Sequence, residues 1–329
     1  MTEDFPRIDA LRALHSRLSE WVVETPILRC AALEQRLGGG TKVYAKLEFL
    51  QGTGTFKLRG ALSTMLALSA EQLKQGVTAV SAGNHAIAVA YAAGKLGTSA
   101  KVVMLKTASP SRIRACQDFG AEVVLADDVH SAFALAQGIR DSEDRYLVHP
   151  FEGPQIAAGT GTMGLELCNQ LEHFDSLVVP IGGGGLCGGL SCAVKQLRPH
   201  CEIFGVEPSG ADSMHRSFAA GAPAKIDKVR TIADSLGAPY ALPYSYALCK
   251  AYVDALVTVD DAALKRAMAL LYHSLKIAVE PACAASTAAL LGPLAGRLRG
   301  RSVVIIFCGS NIDWATFARD ADLDAAIAH

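Results

Sequence analysis

Short apolar runs alternate with longer helix-forming stretches along this chain, and that rhythm limits its possible folds more than any other feature. KVYAKLEF at 42–49 leads into a helix expected from about Leu58, and VTAV at 77–80 into one over Asn84 to Lys95. KVVML precedes a helix over Pro110 to Asp118, and EVVLA one over Val129 to Arg140. SLVVP, EIFGVEP and SVVIIFCG repeat the pattern further on. Apolar strands separated by helices are the mark of parallel βαβ units with both sheet faces covered. Right-handed crossovers then bring the strand C-termini, and the loops after them, to one edge where ligands bind.

The length of 329 residues, half of them apolar, supplies a large core and suggests about two domains. With 31 basic against 32 acidic residues the formal charge is −1, which gives no electrostatic reason to expect nucleic acid or an anionic membrane as partner. A small-molecule ligand is expected instead. Nine scattered cysteines without a C-x-x-C pair read as reduced thiols in a cytoplasmic protein. The acidic start MTEDFPRIDA does not fit a signal peptide, and no stretch has the bulky apolar character of a membrane span.

Three glycine-rich or polar segments follow strands. In Gly52-Thr53-Gly54-Thr55-Phe56-Lys57, a lysine stands where a helix should begin. The helix dipole disfavours a cation there, which helps keep the amine neutral and able to attack an aldehyde as a Schiff-base lysine. An isolated lysine in such a loop is ordinarily a solvated one. Ser81-Ala82-Gly83-Asn84-His85 reads either as an ordinary N-cap or as an anion nest of backbone N–H groups. Gly182-Gly183-Gly184-Gly185-Leu186 combines a strand end, a glycine loop and a helix start, the parts of a phosphate cradle.

A rival uses the same loop. Gly183-x-Gly185-x-x-Gly188, with Glu207 about 20 residues on, fits a dinucleotide fingerprint and hence an NAD-dependent oxidoreductase. That reading leaves the lysine and Ser-Ala-Gly-Asn-His segments unexplained. After the last strand, Cys308 is either a small buried thiol or a weakly acidic group facing a ligand's ring nitrogen.

Together these segments resemble the fold-type II pyridoxal-phosphate enzymes, specifically the threonine/serine dehydratase and serine racemase family. The likeness runs through Thr25-Pro26, KLEFLQGTGTFKLRGA, SAGNH, HPFEGPQIAAGTGT, the tetraglycine loop, GVEP, TIAD, VEPA and CGSN. It implies an α/β, tryptophan synthase β-like fold of parallel-rich twisted sheets flanked by helices. A large cofactor-binding domain (1–52 and 151–329) and a small mobile domain (53–150) would enclose the site in their cleft. It further implies pyridoxal 5'-phosphate held by Lys57, the catalytic base, with its phosphate on Gly182, Gly183, Gly184, Gly185 and Leu186. Phe56 would pack by the ring, Asn84 would bond its phenolic oxygen, and Cys308 would face its nitrogen. Ser81, Gly83, Asn84 and His85 would bind the substrate carboxylate. The implied reaction is dehydration and deamination of L-threonine or L-serine to a 2-oxo acid and ammonia, by a homodimer or larger homo-oligomer.

Departures from the family pattern shape the expectation. Racemases carry a second serine where this chain has Ala82, whose methyl cannot move a proton, so elimination is favoured over racemisation. Ala86-Ile87-Ala88 replaces the usual Ala-Gln-Gly, and Ser235 stands where a glycine follows Thr-Ile-Ala-Asp. Metal-dependent relatives use a glutamate, a carbonyl and an aspartate at positions that here are Glu207, Ala211 and Ser213, which makes a tight divalent site doubtful. The chain ends soon after Asn311, so feedback inhibition through a C-terminal regulatory domain is not expected. Dehydration of 3-hydroxyaspartate, racemisation and β-replacement are the alternatives within the family.

Overall fold

The computed structural model describes residues 4–81 and 83–321, so the expectation attached to Ala82 lies outside the described residues. Among these, the apolar runs form ten strands. In chain order they are β1 (Ile27–Arg29), β2 (Lys42–Lys46), β3 (Val77–Val80), β4 (Ala100–Leu105), β5 (Glu122–Ala126), β6 (Tyr146–Leu147), β7 (Ser176–Pro180), β8 (Glu202–Pro208), β9 (Ala255–Val259) and β10 (Ser302–Ile306). One sheet has the order β1-β2-β10-β7-β8-β9 and the other β5-β4-β3-β6. All neighbours are parallel except β1 and β2. Helix Pro281–Leu291 packs across β7 to β10, and helices Asn84–Lys95 and Val129–Glu143 cover β3 and β4. This is the expected α/β architecture of parallel sheets flanked by helices.

The strand read over 42–49 stops at Lys46, and Glu48–Leu50 turns as a short 3-10 helix. The turn lets Glu48 reach the interior, where it meets Arg59 of helix Lys57–Leu66. The Arg59 guanidinium is fully buried between two carboxylates. Nε and Nη2 donate to Glu48 at 2.8 Å each, while Nη1 and Nη2 donate to Glu166 at 2.7 and 2.8 Å. Lys46 Nζ adds a 2.7 Å bond to Glu166, and Thr25 Oγ1 donates to Glu48 at 2.6 Å. Burial alone would raise the Glu166 carboxyl, but hydrogen bonds from His15 and Arg59 and the nearby charges of Arg59 and Lys46 bring it down to about 2. Two cations thus neutralise two carboxylates, with nearly every polar atom partnered, the condition under which buried ions are tolerated.

Small residues let the helices approach closely around this cluster. A Cβ on Gly159 would lie 2.3 Å from the Arg59 carbonyl oxygen, and one on Gly189 2.1 Å from Thr160 Oγ1. Helices Lys57–Leu66, Pro154–Gln170 and Gly185–Leu197 are therefore packed backbone to backbone. All nine cysteines are free and buried. Among the described residues no helix is long and apolar enough to cross a membrane.

Replacing Arg59 with leucine leaves Glu48 and Glu166 buried without their main partner, a loss expected to cost about 3–5 kcal/mol. Urea denaturation should show a lower midpoint at unchanged slope, whereas Arg140→Ala, which removes the exposed Arg140–Asp141 pair, should leave the midpoint where it was. A midpoint for Arg59→Leu equal to the parent's would show that the cluster does not hold the fold.

Candidate active site

The backbone after β10 places Lys57. Phe307 N–H donates to the Lys46 carbonyl, Phe56 N–H donates to the Cys308 carbonyl at 3.0 Å, and Thr55 pairs with Gly309 as an isolated bridge. Gly54 turns the chain with a left-handed φ of +70°, and a Cβ there would strike Asn311 Oδ1 at 2.5 Å. Lys57 then opens its helix beside Cys308. Its Nζ donates to the Pro150 carbonyl at 2.5 Å. Burial among the pocket walls lowers its pKa to about 8, with Cys308 and Glu280 opposing the shift. Near neutral pH this amine exchanges its proton far more readily than an exposed lysine.

Beyond β7, the glycines run into helix Gly185–Leu197, whose first turn has no side-chain cap. Its leading N–H groups are the orphan donors that an anion satisfies. Gly184 has φ +95°, a conformation side chains rarely adopt. A Cβ on Gly185 would lie 2.4 Å from the Phe151 carbonyl oxygen, and one on Gly183 2.2 Å from the Phe151 ring. Phe151 therefore closes the loop, and only glycine fits beneath it.

Phe56, Lys57, Asn84, Gly182, Gly183, Gly184, Gly185, Leu186 and Cys308 all line one cavity. The loop, lysine and thiol expected from sequence are thus brought together. Their arrangement suits pyridoxal phosphate: uncapped amides for its phosphate, a half-buried amine for its aldehyde, and a thiol in the same wall. A hydrogen bond with Cys283, reinforced by burial, pushes the Cys308 thiol well above its ordinary pKa, so it stays protonated.

His85 lies beneath Lys57, in a smaller void shared with Phe56, Ile156 and Leu186. Its Nε2–H donates to the Val148 carbonyl at 2.8 Å, which leaves Nδ1 as a buried acceptor without a partner among the described residues. Burial lowers its pKa to about 3, with the Lys57 charge adding to the shift, so the ring is neutral. Ser81 and Gly83 sit on the loop above, where Ser81 Oγ accepts the Gly83 N–H at 3.1 Å. They do not line the main cavity. Helix Asn84–Lys95 likewise begins without a side-chain cap.

Glu207 belongs elsewhere. Both its oxygens accept backbone N–H groups, from Met214 at 2.8 Å and His215 at 2.7 Å, at the start of helix Ser213–Ala220. It therefore does not offer the free carboxylate that a dinucleotide ribose requires. Ala211 is buried beside it, and among the described residues no group of three or more His, Cys, Asp or Glu side chains is placed to hold a metal ion.

Sequence reasoning missed four polar neighbours of the cavity. Glu280 lines it, and its Oε1 accepts from Asn84 Nδ2 at 2.6 Å. Arg112 reaches over from helix Pro110–Asp118 to Asp234, to the Asn311 carbonyl at 2.8 Å and toward Glu280 at 3.6 Å. Asn311 Nδ2 donates to Asn84 Oδ1 at 2.7 Å. These residues lie within or beside the motifs TIAD, VEPA and CGSN, or on the helix after KVVML, but no local spacing joins them.

Gly185→Ala sets a methyl against the Phe151 backbone, which cannot yield as a side-chain tip can. The variant should stay folded, retain its far-ultraviolet circular dichroism, and lose at least tenfold in affinity for pyridoxal phosphate, roughly the worth of one charged hydrogen bond. Binding equal to the parent's would move the phosphate away from this loop.

Comparisons with known proteins converge. The family described as pyridoxal-phosphate dependent enzyme matches residues 18–309. Phenylserine dehydratase of Ralstonia pickettii is 51% identical over 322 residues, 98% of each chain. The catabolic L-threonine dehydratase of Escherichia coli is 34% identical over 316 residues, 95% of each chain. Among solved structures, maize serine racemase superposes with a TM-score of 0.89 at 33% identity, covering 95% of both chains. Cofactor cradle, fold and relatives agree: the chain belongs to the pyridoxal-phosphate dependent enzymes, on the fold-type II branch that holds the dehydratases and serine racemases.

Proposed function

We propose that this protein is a pyridoxal-phosphate-dependent ammonia-lyase that removes water from a β-hydroxy-α-amino acid and yields a 2-oxo acid and ammonia. The observation that carries the reading is Lys57, an amine lowered to about 8, enclosed with the glycine cradle and a neutral thiol in one cavity. When bound, pyridoxal phosphate supplies the electron sink for the pair left at Cα. Lys57 takes the Cα proton as general base, a task suited to a pKa near the working pH. The loop Gly182 to Leu186 would hold the phosphate, and Ser81, Gly83, Asn84 and His85, mainly through backbone N–H groups, would hold the substrate carboxylate. Cys308, held protonated, would present a neutral thiol rather than a carboxylate to the bound cofactor's ring, a setting that favours elimination. The four-stranded sheet and its helices, within residues 53–150, would close over the substrate and exclude water.

The relative at 51% identity acts, by its name, on phenylserine, and we place 3-phenylserine ahead of threonine and serine as substrate. A second carboxylate is poorly served: Arg112, which reaches toward the cavity residue Glu280, is already engaged with Asp234. This disfavours 3-hydroxyaspartate. Nine buried free thiols support a reducing, cytoplasmic setting, and assembly as a homodimer or larger oligomer is part of the same reading.

The test is 2-oxo acid release from L-threo-phenylserine, L-threonine, L-serine and 3-hydroxyaspartate, with borohydride reduction to fix the cofactor. The expected result is the largest kcat/KM for phenylserine, and a reduced label on Lys57. A colourless protein that releases no oxo acid from any of the four would sink the reading.

Ala82→Ser would restore a hydroxyl where racemases carry one. Chiral analysis of residual substrate should then show D/L interconversion rising by about tenfold or more while elimination persists. Brisk interconversion already present in the parent would mean that another group serves the second face.

A further inference from the structure

Asn84 can face the cofactor in two ways, because the ends of a carboxamide have nearly the same shape but opposite hydrogen-bonding character. Its surroundings choose one. Asn311 Nδ2, itself anchored by a 2.8 Å bond to the Thr53 carbonyl, donates to Asn84 Oδ1 at 2.7 Å. Glu280 Oε1 accepts from Asn84 Nδ2 at 2.6 Å. A flipped amide would set its NH₂ against that of Asn311 and its oxygen against a carboxylate. The second amide hydrogen has only a weak partner, Ser235 Oγ at 3.3 Å, and Ser235 lines the cofactor cavity.

Glu280 itself is not at rest. It is 1% exposed, and its Oε2 has no hydrogen-bond partner among the described residues, with Arg112 Nη2 facing it at 3.6 Å. The groups facing it come from every side: Arg112 from helix Pro110–Asp118, Asp234 from the turn Asp234–Leu236, Lys57 from its own helix, Cys308 after β10, and the backbone N–H of Asn311. A buried carboxylate oxygen with no hydrogen bond and only a cation at 3.6 Å calls for an explanation.

We infer that Glu280 is a positioning residue, which with Asn311 holds the Asn84 carboxamide so that an amide hydrogen, not the oxygen, is presented to the polar edge of the bound cofactor. The inference rests on the proposed function, since it takes the cofactor as Asn84's partner. Burial raises the Glu280 carboxyl to about 7, aided by Asp234 and opposed by Arg112, Asn84 and the Asn311 N–H. The carboxylate form, which prevails above that pH, grips Asn84 Nδ2 more tightly than the neutral acid does. Orientation of Asn84, and with it cofactor affinity, therefore strengthens as pH rises through 7.

The experiment measures pyridoxal phosphate affinity and the absorbance of the bound cofactor between pH 6 and 8.5, in full-length parent, Glu280→Ala, Glu280→Gln, Asn84→Ala and the Glu280→Ala/Asn84→Ala double variant. Thermal unfolding of each variant establishes that it is folded. Glu280→Ala and Asn84→Ala should each weaken binding by about tenfold, and the double variant by no more than Asn84→Ala alone. Glu280→Gln keeps the acceptor, so affinity should stay within about threefold of the parent while the inflection near pH 7 disappears. Additive losses in the double variant would overturn the inference, as would parent-like affinity of Glu280→Ala or an inflection that survives in Glu280→Gln. Those results leave the proposed function standing. A parent chain that takes up no pyridoxal phosphate would instead overturn the function and this inference with it.

Discussion

The buried guanidinium of Arg59 is the constraint on which the site depends. A residue two positions after Lys57 is fully enclosed and bonded at 2.7–2.8 Å to carboxylates from two other segments, Glu48 and Glu166. A planar fork with fixed donor directions orients the helix that carries it in a way no apolar contact can. The first turn of that helix is therefore tied to the turn Glu48–Leu50 and to helix Pro154–Gln170, and the reactive amine is held on an anchored element. The cluster also explains why a lysine can be left partly desolvated nearby. Its own charges cancel, so it does not impose a field that would drive Lys57 toward either protonation state.

A second constraint is steric. Phe151 lies against the glycine loop because residues 149–152 are held as a turn: His149 Nδ1 accepts the N–H groups of Phe151 at 3.2 Å and Glu152 at 2.9 Å. The Glu152 carboxylate in turn accepts from Tyr244 N–H at 2.7 Å and Ser245 Oγ at 2.6 Å. Burial keeps His149 neutral, with a pKa lowered to about 4, so its ring remains an acceptor for those amides at physiological pH. The glycines are thus the consequence of a wall built from the HPFEG segment, and the two motifs form one structure although about 30 residues separate them.

How far the sequence was legible follows from how local each signal is. The buried parallel strands were readable because continuous apolar runs leave a sheet interior few alternatives. β1, β6 and β9 were not: the first two have only three and two residues, and β9 is half-buried along most of its length. The strand at 42–49 was read too long because Lys46 and Glu48 look like solvent-facing polar residues, and only the partner 120 residues away shows that Lys46 turns inward. The lysine, glycine loop and thiol were legible as family motifs. The roles of Glu280, Arg112 and Asn311 were not, because each is defined by contacts to residues roughly 120 to 230 positions distant.

What joins these parts is a common electrostatic logic. Desolvation pushes acids up and bases down, so in one enclosed cavity it moves a lysine and a glutamate toward each other on the pH scale. Here Lys57 is lowered to about 8 and Glu280 raised to about 7, while His85 and the Cys308 thiol are held neutral. Around the site there are thus two groups able to exchange protons near neutral pH, both lining the cavity, and two that cannot, of which His85 lies in the smaller void beside it. That division suits elimination. An elimination needs a base that is free near the working pH, and the lowered Lys57 amine meets that need. A thiol kept protonated by its neighbour and by burial gives the cavity a neutral wall at position 308, where a carboxylate would give it a negative one.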